Sequence, residues 1–516
     1  MLFNSYTFVF AFLPVALLGY IFACRFGRRG VISWLSLASL AFYAYWRPIY
    51  LFVLCFSILL NFTCSRLIYG FSGRPHLQKR FLWIGIVANL LLLGYYKYFF
   101  PMLTLAATLG DVHRRWPDVV LPLGISFFTF TQIGYLVDLS QDAAEKQDFP
   151  GYVLFVTFFP HLIAGPLLHH KEMMPQFNDD RRYALSMEDL AIGFTWFVMG
   201  LFKKVAVADT LAKHADAAFA NAHALTFSAA WAGVLAYALQ LYFDFSGYSD
   251  MALGLARMFS IRLPLNFNSP YKAQSITEYW NRWHMTLTRY ATLYLYNPIL
   301  IWITRRRISA GKSSSRKAAA TPGGFLSLLA FPTMFTMFLV GIWHGAGFKF
   351  LIFGLLHGIY LTVNQLWRLI KSKKARVENQ SPIARRFNAA MCVGATLLAA
   401  VVADVFFRAS DTGSALAIVG SMFGIHSFTA AGSLSYTDFL FGLRIAALWL
   451  FVWIFPNTQQ ILSRFEPAGG VGAAGSWLGR RLLWSPTISW AIVLGLSFLF
   501  ALIGMQDPSR FLYFQF

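Results

Sequence analysis

Charged residues are scarce in this chain of 516 residues, of which 13% are charged and 57% are hydrophobic. Soluble proteins usually carry about a quarter charged residues, so the composition excludes an ordinary soluble domain. Acidic residues are scarcest, with 22 Asp and Glu against 43 Lys and Arg. Apolar runs of about 20 residues, long enough to cross a bilayer as helices, recur along the chain. We therefore predict an all-α, polytopic membrane protein.

Several sites of known chemistry are also missing. The four cysteines lie in or beside apolar runs, and the histidines do not occur in H-x-x-x-H or H-E-x-x-H spacing. We therefore predict no metal site. The G-x-S-x-G nucleophile elbow and the phosphate-binding P-loop do not occur either, which argues against a serine hydrolase of that type and a P-loop nucleotide enzyme.

Basic residues account for the net charge of +21 and cluster in short loops, above all 305–317 and 368–386. Loops rich in Lys and Arg face the cytoplasm and contact anionic lipid, so the charge does not predict nucleic acid binding. The alternative is that these loops attract an anionic cytosolic donor such as a coenzyme A thioester. The first apolar run has no basic residue before it and is followed by Arg25, Arg28 and Arg29. It therefore predicts a retained helix with its N-terminus outside.

We expect eleven or twelve crossings plus re-entrant or interfacial helices, in one membrane domain over residues 1–516. A small-residue segment at 468–475 reads as a linker. The predicted runs are 3–23, 31–45, 49–63, 81–100, 119–137, 152–168, 190–202, 231–255, 293–304, 325–342, 350–367, 387–403, 439–455 and 488–505.

Two histidines lie in or beside apolar runs that have no charged residue. No Asp, Glu, Lys or Arg occurs from 318 to 348 or from 350 to 367, and these stretches contain His344 and His357. These two stretches lie between the two basic loops, so they predict a hairpin of two spans with residues 343–348 at its turn. An ionisable side chain in such a segment is a candidate functional residue. The alternative is that both histidines hydrogen-bond to neighbouring helices.

The stretch from 240 to 284 is unusually polar. Asp244 and Asp250 lie six residues apart and would face different sides of a straight helix, so we expect Ser246 and Gly247 to break it. Ser275 and Glu278 predict the start of a further helix. Along it we expect an i, i+4 ion pair of Glu278 with Arg282, and His284 in the next turn. The alternative is an interfacial amphipathic helix.

Upstream, His161 lies between Pro160 and Pro166 in an apolar run. A kinked helix that lines a cavity and a structural, hydrogen-bonding histidine both fit this pattern. Together, these stretches offer imidazole groups with Asp and Asn neighbours but no built-in nucleophile. This combination is typical of a transferase in which histidine deprotonates the hydroxyl of the acceptor.

Five motifs, FPHLIAGP (159–166), QLYFDFSGYSD (240–250), NFNSPY (266–271), SITEYWNRWH (275–284) and GIWHGA (341–346), occur in this order. Together they resemble the membrane-bound O-acyltransferase family, and within it the branch of the alginate O-acetyltransferase membrane subunit. The resemblance implies a funnel-shaped core of helices with a tunnel through it. It places the motif-bearing core at about 119–367 and accessory helices at 387–516.

The resemblance also implies an activity in the bacterial inner membrane. An acyl group, most simply acetyl, would pass from cytosolic acyl-CoA or an acylated carrier to hydroxyls of an exported polysaccharide or other envelope glycan. A periplasmic relay protein of the SGNH or esterase-like type is an alternative acceptor, and no bound cofactor is implied. The motif positions assign catalysis to His344 as general base and to His284, which would orient the thioester or polarise its carbonyl. Supporting positions in the tunnel are His161, Asp244, Asp250, Asn266, Glu278, Trp343 and His357.

One departure limits the assignment of substrate. Where close relatives of the alginate subunit carry Arg and Asp after the His284 helix, this chain has TLYLYNP at 292–298. We therefore do not assign alginate as the acceptor. The remaining alternatives are a transporter or export channel, for which we find no paired inverted repeats, and a non-catalytic component of an envelope polysaccharide complex.

Overall fold

The computed structural model describes residues 1–110, 120–141, 148–374, 381–425, 436–465, 477–506 and 511–512. Regular structure within these ranges is helical, without β-strands, which confirms the predicted all-α class. Helices satisfy their own backbone hydrogen bonds, as a chain in lipid requires. The predicted linker at 468–475 lies outside the described residues.

Long apolar helices dominate the described chain. Three further apolar helices are shorter: Thr412–Met422, Phe439–Ile454 and Ile488–Gly504. The seven stretches long and apolar enough to cross a membrane are Phe8–Ala44, Ile49–Gly70, Pro75–Thr104, Met187–Ala220, Pro322–His344, Phe348–Lys371 and Pro382–Arg408. These helices confirm the prediction of a multi-pass membrane protein. The described residues contain seven long and three shorter candidate membrane helices, compared with the eleven or twelve crossings expected.

The first long stretch contains two of the predicted runs. Its helices Leu13–Ala23 and Gly27–Ala44 pack against each other, and the Trp34 indole N–H donates to the Ala16 carbonyl at 2.9 Å. The chain turns between them at Gly27, whose φ of 61° lies in the left-handed region that favours glycine. Phe8–Ala44 is therefore a helical hairpin.

The predicted run 152–168 is interrupted. The helix Phe149–Thr157 is followed by Phe158, whose ψ of 108° is not helical. A short helix, Phe159–Leu162, comes next. Pro160 fits the break, because it has no N–H with which to continue the hydrogen-bond ladder of the first helix, and it lies in the first turn of the second helix, where proline is tolerated.

Contacts divide the chain into two compact units. The first comprises Met1–Val207, Phe243–Leu265 and Pro456–Phe516. Beside the second half of the long helix Phe227–Met258, its helices are Leu13–Ala23, Gly27–Ala44, Ile49–Gly70, Pro75–Gly94, Phe100–Leu109, Ile125–Ser140, Phe149–Thr157, Phe159–Leu162, His170–Phe177, Met187–Phe202, Thr458–Ile461, Trp477–Arg481 and Ile488–Gly504.

Buried amides and glycines hold helices of this unit together. Asn61 and Asn89 exchange two side-chain hydrogen bonds of 3.1 and 2.6 Å, the kind of polar contact that joins helices in lipid. A Cβ on Gly200 would lie 2.6 Å from the Gly247 carbonyl oxygen, so Met187–Phe202 and Phe227–Met258 touch through their backbones. The break expected at Ser246 and Gly247 is wrong: the 32-residue helix Phe227–Met258 is continuous, and Gly247 permits this close contact.

The second unit comprises Ala208–Tyr242 and Asn266–Phe455. With the first half of Phe227–Met258, its helices are Asp209–Ala220, Ile276–Trp280, Met285–Ala291, Asn297–Ser309, Arg316–Ala319, Pro322–Phe325, Phe331–His344, Phe348–Lys374, Pro382–Arg408, Thr412–Met422 and Tyr436–Ile454. The single-domain organisation predicted from the sequence stays a prediction.

The predicted hairpin of the second unit is confirmed. Phe331–His344 and Phe348–Lys374 pack closely, with residues 345–347 as the turn. A Cβ on Gly341 would lie 2.6 Å from the Phe350 carbonyl oxygen, and one on Gly354 2.4 Å from that of Met337. Glycines at both positions therefore bring the two helices together next to His344.

Candidate active site

The nine predicted site residues fall in both units. His161, Asp244 and Asp250 belong to the first unit. The second unit holds Asn266, Glu278, His284, Trp343, His344 and His357.

His284 sits where two chain segments pair. The Asn268 N–H donates to the Arg282 carbonyl at 2.8 Å, and the Met285 N–H donates to the Asn266 carbonyl at 2.9 Å. Between these bonds His284 has a φ of 44°, the left-handed conformation, and it precedes the helix Met285–Ala291. From the sequence we expected His284 in the next turn of the helix that contains Glu278. That helix instead ends at Trp280, before His284. A non-glycine residue held in this conformation costs about 1–2 kcal/mol, and such strain clusters at functional sites.

The side chain of Asn266 fixes the tautomer of His284. Its Oδ1 lies 3.3 Å from the Thr286 backbone N, 2.9 Å from the Thr286 hydroxyl and 3.0 Å from His284 Nδ1. A backbone N–H can only donate, so the amide oxygen of Asn266 faces this group and accepts. The ring proton of His284 is therefore on Nδ1, and Nε2 carries the lone pair. Burial lowers the pKa of His284 to about 3, which keeps the ring neutral.

His357 has the opposite tautomer. The Trp280 indole N–H, which can only donate, lies 3.2 Å from His357 Nδ1. In neutral His357 the proton is therefore on Nε2. The Tyr279 ring lies parallel to the imidazole at 6.3 Å and an interplanar angle of 8°. One histidine thus presents a hydrogen-bond acceptor at Nε2 and the other a donor.

His344 is the last residue of its helix and is 7% exposed. Aromatic rings surround it: Trp343 at 4.6 Å, Phe407 at 5.0 Å and Phe353 at 5.5 Å between ring centroids. This apolar environment has a low local dielectric, so a charge formed on the ring interacts strongly with neighbouring charges.

Two of these rings link the three histidines. Trp343 lies 6.5 Å from the His284 ring, and Phe353 lies 4.8 Å from the His357 ring. We call His284, Trp343, His344, Phe353 and His357 the histidine cluster.

Glu278 holds the segment that leads to His284. Its backbone N–H donates to the Ser275 hydroxyl at 3.2 Å, as the predicted helix start requires. Its carboxylate accepts from Arg282 at 2.7 Å and from the Gln274 backbone N–H at 2.8 Å. The predicted i, i+4 ion pair is confirmed, and both carboxylate oxygens are engaged.

In the first unit, Asp244 is enclosed in an ion pair. The Lys204 ammonium donates to Asp244 Oδ1 at 2.6 Å, and both side chains are 2% exposed. The Leu512 backbone N–H donates to Oδ2 at 2.9 Å, so both carboxylate oxygens are bonded. The adjacent Phe511 ring lies 4.7 Å from the Lys204 ammonium.

Asp250 is bonded just as fully. Its Oδ1 accepts from the Trp196 indole at 3.1 Å, and its Oδ2 accepts from Lys203 at 2.6 Å and from the Thr458 hydroxyl at 2.8 Å. Lys203 and Lys204 begin a π-helical segment, Lys203–Ala208, and π-helical turns inside helices are frequent at functional sites.

His161 makes a structural contact. Its Nε2 donates to the Phe155 carbonyl at 3.1 Å across the break at Phe158, and the side chain is buried. Burial lowers its pKa to about 4. This contact fits the hydrogen-bonding interpretation, and the break at Phe158 fits the kinked helix, so the place of His161 in a tunnel stays a prediction.

Several neighbours of the site were not singled out from the sequence. Trp280 lies inside a quoted motif, but its bond to His357 spans 77 positions. Phe353 lies in a predicted apolar run and Phe407 shortly after another, and nothing in the sequence distinguishes either from a packing residue. Lys203 and Lys204 follow a predicted run directly, and a pair of lysines at that edge was a usable signal.

An apolar cleft at the other end of the hairpin is not part of this cluster. It is lined by Pro322, Phe325, Leu366 and Ile370 among others, and none of its lining residues is a histidine.

Comparison with known proteins agrees with the motifs. Residues 82–310 match the membrane-bound O-acyltransferase family. A peptidoglycan O-acetyltransferase of Helicobacter pylori is 36% identical over 556 residues, covering 100% of this chain and 98% of that protein. A probable alginate O-acetylase of Pseudomonas putida is 35% identical over 530 residues, covering 100% of both chains. A teichoic acid D-alanyltransferase of Bacillus subtilis is 27% identical over 259 residues, covering 48% of this chain and 60% of that protein.

The two similarities that cover the whole chain show that it belongs to the membrane-bound O-acyltransferase family. It is a multi-pass membrane enzyme that transfers acyl groups.

Proposed function

We propose that this enzyme transfers an acyl group, most simply acetyl, from a cytosolic acyl-CoA-type thioester to hydroxyls of an exported polysaccharide or envelope glycan. Its relatives include a peptidoglycan O-acetyltransferase, a probable alginate O-acetylase and a teichoic acid D-alanyltransferase, and these activities support an envelope polymer as the final acceptor. The alternative acceptor is a periplasmic relay protein. The basic segments 305–317 and 368–386 would face the cytoplasm, where they attract the phosphates of the donor. The protein would lie in the bacterial inner membrane. There the same rule predicts that its N-terminus faces outside.

The observation that carries this proposal is the pair of opposite tautomers next to His344. We propose that His344 takes the proton of the acceptor hydroxyl as general base. The hydroxyl oxygen then forms a bond to the thioester carbonyl carbon, the carbon–sulfur bond breaks, and the proton passes from His344 to the leaving sulfur. The products are an ester and a free thiol.

His284 and His357 would divide the remaining work. Nε2 of neutral His284 has no proton, so it cannot polarise a carbonyl as we expected from the sequence; instead it accepts a hydrogen bond and orients the incoming hydroxyl. Nε2 of His357 carries a proton and is suited to stabilise the negative charge that develops on the carbonyl oxygen. We therefore reassign the carbonyl-polarising role to His357.

Mass spectrometry of envelope glycans tests the proposed acceptor class. Cells that lack this protein should lose an acyl substituent, and the wild-type gene should restore it while the His344→Ala gene should not. Unchanged acylation in the deletion strain would remove the envelope-glycan proposal.

Thioester turnover by the purified protein separates the enzyme from its rivals. A transporter and a non-catalytic component of an envelope complex would both fail to release free thiol in the presence of a hydroxyl acceptor. The buried histidines would then serve proton movement or helix packing instead.

A further inference from the structure

The two helices of the hairpin enclose a cleft at the end opposite to their turn. Near the turn they touch backbone to backbone at Gly341 and Gly354. Further along, the Gln365 side-chain N–H donates to the Thr333 hydroxyl at 3.1 Å and still joins them. Beyond this bond lies the apolar cleft, with a volume of about 380 Å³. This volume is in the range of small-ligand sites.

The walls of the cleft are apolar and open to the bilayer. Phe325 and Leu326 belong to one wall, and Leu366 and Ile370, one helical turn apart, belong to the other. Leu326, Leu366 and Ile370 are between 42% and 62% exposed. An alkyl chain can therefore enter from the bilayer without a change of fold, and it gains van der Waals contacts with both walls.

Two tryptophans indicate the depth of the cleft in the membrane. Trp367 follows Leu366 directly, and Trp302 lies on the helix Asn297–Ser309, which leads into the basic segment 305–317. Both indoles are exposed. Exposed tryptophan is enriched at the level of the lipid headgroups. The cleft therefore lies where the headgroup and the acyl chains of a phospholipid meet.

A cation is held next to one wall of the cleft. The Arg307 guanidinium donates to the Ser327 hydroxyl at 2.8 Å, and Ser327 follows Leu326 of the cleft directly. The same guanidinium donates to the Ser313 carbonyl at 2.9 Å. Both acceptors are neutral, and no Asp or Glu occurs from 279 to 377. The positive charge is therefore not neutralised by its own segment of the chain.

Three more cations lie at the same end of the hairpin. Arg316 and Lys317 are on the helix Arg316–Ala319, which packs against the cleft helix Pro322–Phe325. Lys371 follows Ile370 of the other wall. All three side chains are exposed. Long basic side chains at such positions extend to the headgroup level, where they bind phosphate.

We propose that this cleft binds an anionic phospholipid, with one acyl chain between its apolar walls and the headgroup phosphate among Arg307, Arg316 and Lys317. A coenzyme A thioester of a short acyl group has phosphates but no long chain for these walls, whereas a phospholipid has both. Other basic residues of the two segments are not needed for this site and can still attract the donor. The inference goes beyond the proposed function and does not rest on it.

Lipid retention by the purified full-length protein tests the headgroup. The protein is placed in mixed micelles that contain phosphatidylglycerol or, in parallel, phosphatidylcholine at equal mole fraction, and native mass spectrometry counts the bound lipids. We expect phosphatidylglycerol to bind about tenfold more tightly, because only its headgroup has a net negative charge. Equal retention of the two lipids overturns the inference.

Removal of the charges tests the basic residues. The pair Arg316→Gln and Lys317→Gln should weaken phosphatidylglycerol binding about 25-fold, because each basic residue near an anionic headgroup contributes about fivefold. The pair Arg25→Gln and Arg29→Gln removes the same charge from exposed positions of the first unit and should change the affinity by less than about twofold. Equal losses in both pairs would indicate a general effect of net charge and overturn the inference.

A larger side chain in the cleft tests the acyl chain. Leu326→Trp fills the cleft, keeps every charge and should weaken phosphatidylglycerol binding about tenfold. Leu37→Trp, at an exposed apolar position of the first unit, is the matched control and should bind as wild type does. Wild-type affinity in Leu326→Trp overturns the inference. If one of the cleft variants is not recovered as monodisperse protein, the other decides.

Competition with coenzyme A separates the lipid from the donor. Excess coenzyme A should leave phosphatidylglycerol bound to the wild-type protein. Displacement of the lipid would assign these basic residues to the donor and overturn the inference. Binding is measured without turnover, so a negative result leaves the proposed function untouched.

Discussion

The two polar regions of this enzyme hold their buried ionisable side chains in opposite ways. In the first unit, Asp244 and Asp250 use both of their carboxylate oxygens in bonds to lysines and other donors. In the second unit, His284 and His357 each have one ring nitrogen fixed by a neighbour, which sets the character of the other.

This difference distinguishes support from reactivity. A fully bonded ion pair inside a membrane protein holds helices together, because breaking it leaves an uncompensated buried charge. A histidine fixed through Nδ1 presents Nε2 in a known protonation state, which is the arrangement that proton transfer and carbonyl stabilisation require. The contrast predicts that substitutions in the first region reduce stability, whereas those in the second reduce turnover.

The largest effect is expected from Lys204→Ala. It leaves the Asp244 carboxylate buried without its counter-ion and should reduce stability by about 3–5 kcal/mol. Thermal unfolding in detergent measures this loss. The paired variant Lys204→Met with Asp244→Leu should recover much of the stability, and its turnover per folded molecule should match wild type. A stable but inactive paired variant would show that the first region takes part in catalysis.

Asn266→Ala should mainly affect turnover. It removes the acceptor that keeps the His284 proton on Nδ1, so the ring samples the wrong tautomer and kcat should fall about 100-fold, or about 2.7 kcal/mol. Asn266→Asp retains an acceptor oxygen and should recover part of the activity. Equal kcat in Asn266→Ala and wild type would contradict the role assigned to the tautomer.

Trp280→Phe should give a smaller loss. It removes the indole N–H that His357 Nδ1 accepts but keeps an aromatic ring in place, so we expect kcat to fall about tenfold, or about 1.4 kcal/mol. Trp283→Phe is the matched control, because Trp283 stacks on Tyr279 at 5.9 Å, whereas the indole that donates to His357 Nδ1 is that of Trp280. Similar losses in both variants would point to packing instead of the hydrogen bond.

Glu278→Gln should have the smallest effect. The Glu278–Arg282 pair is partly exposed, so its loss should reduce stability by only about 0.3–0.5 kcal/mol. Turnover should stay within about twofold of wild type. A large loss of turnover with normal stability would move Glu278 from support into the reaction.

Local features of the second unit follow from the sequence. The charge-free runs around His344 and His357 predict the hairpin and its turn, and Ser275 with Glu278 predicts the short helix before His284. These features depend on neighbouring residues, so periodicity, capping and charge placement report them directly.

Long-range partners do not follow from the sequence in the same way. Lys203 lies 47 positions before Asp250 and Lys204 lies 40 positions before Asp244, and no local pattern pairs them. The buried Asp404 was not singled out for a different reason. The predicted run 387–403 ended one residue before it, whereas the helix extends to Arg408. A boundary placed one turn later would have put an acidic residue inside an apolar helix, which is itself a signal of function.

The most direct test compares His344→Ala with wild type in a purified, thioester-dependent transfer assay. Removal of the proposed general base should lower turnover about 10²–10⁴-fold. His214→Ala is the matched control, because His214 stacks on Phe441 at 3.7 Å outside the histidine cluster, and it should retain turnover. Wild-type turnover by folded, monodisperse His344→Ala protein would contradict the account.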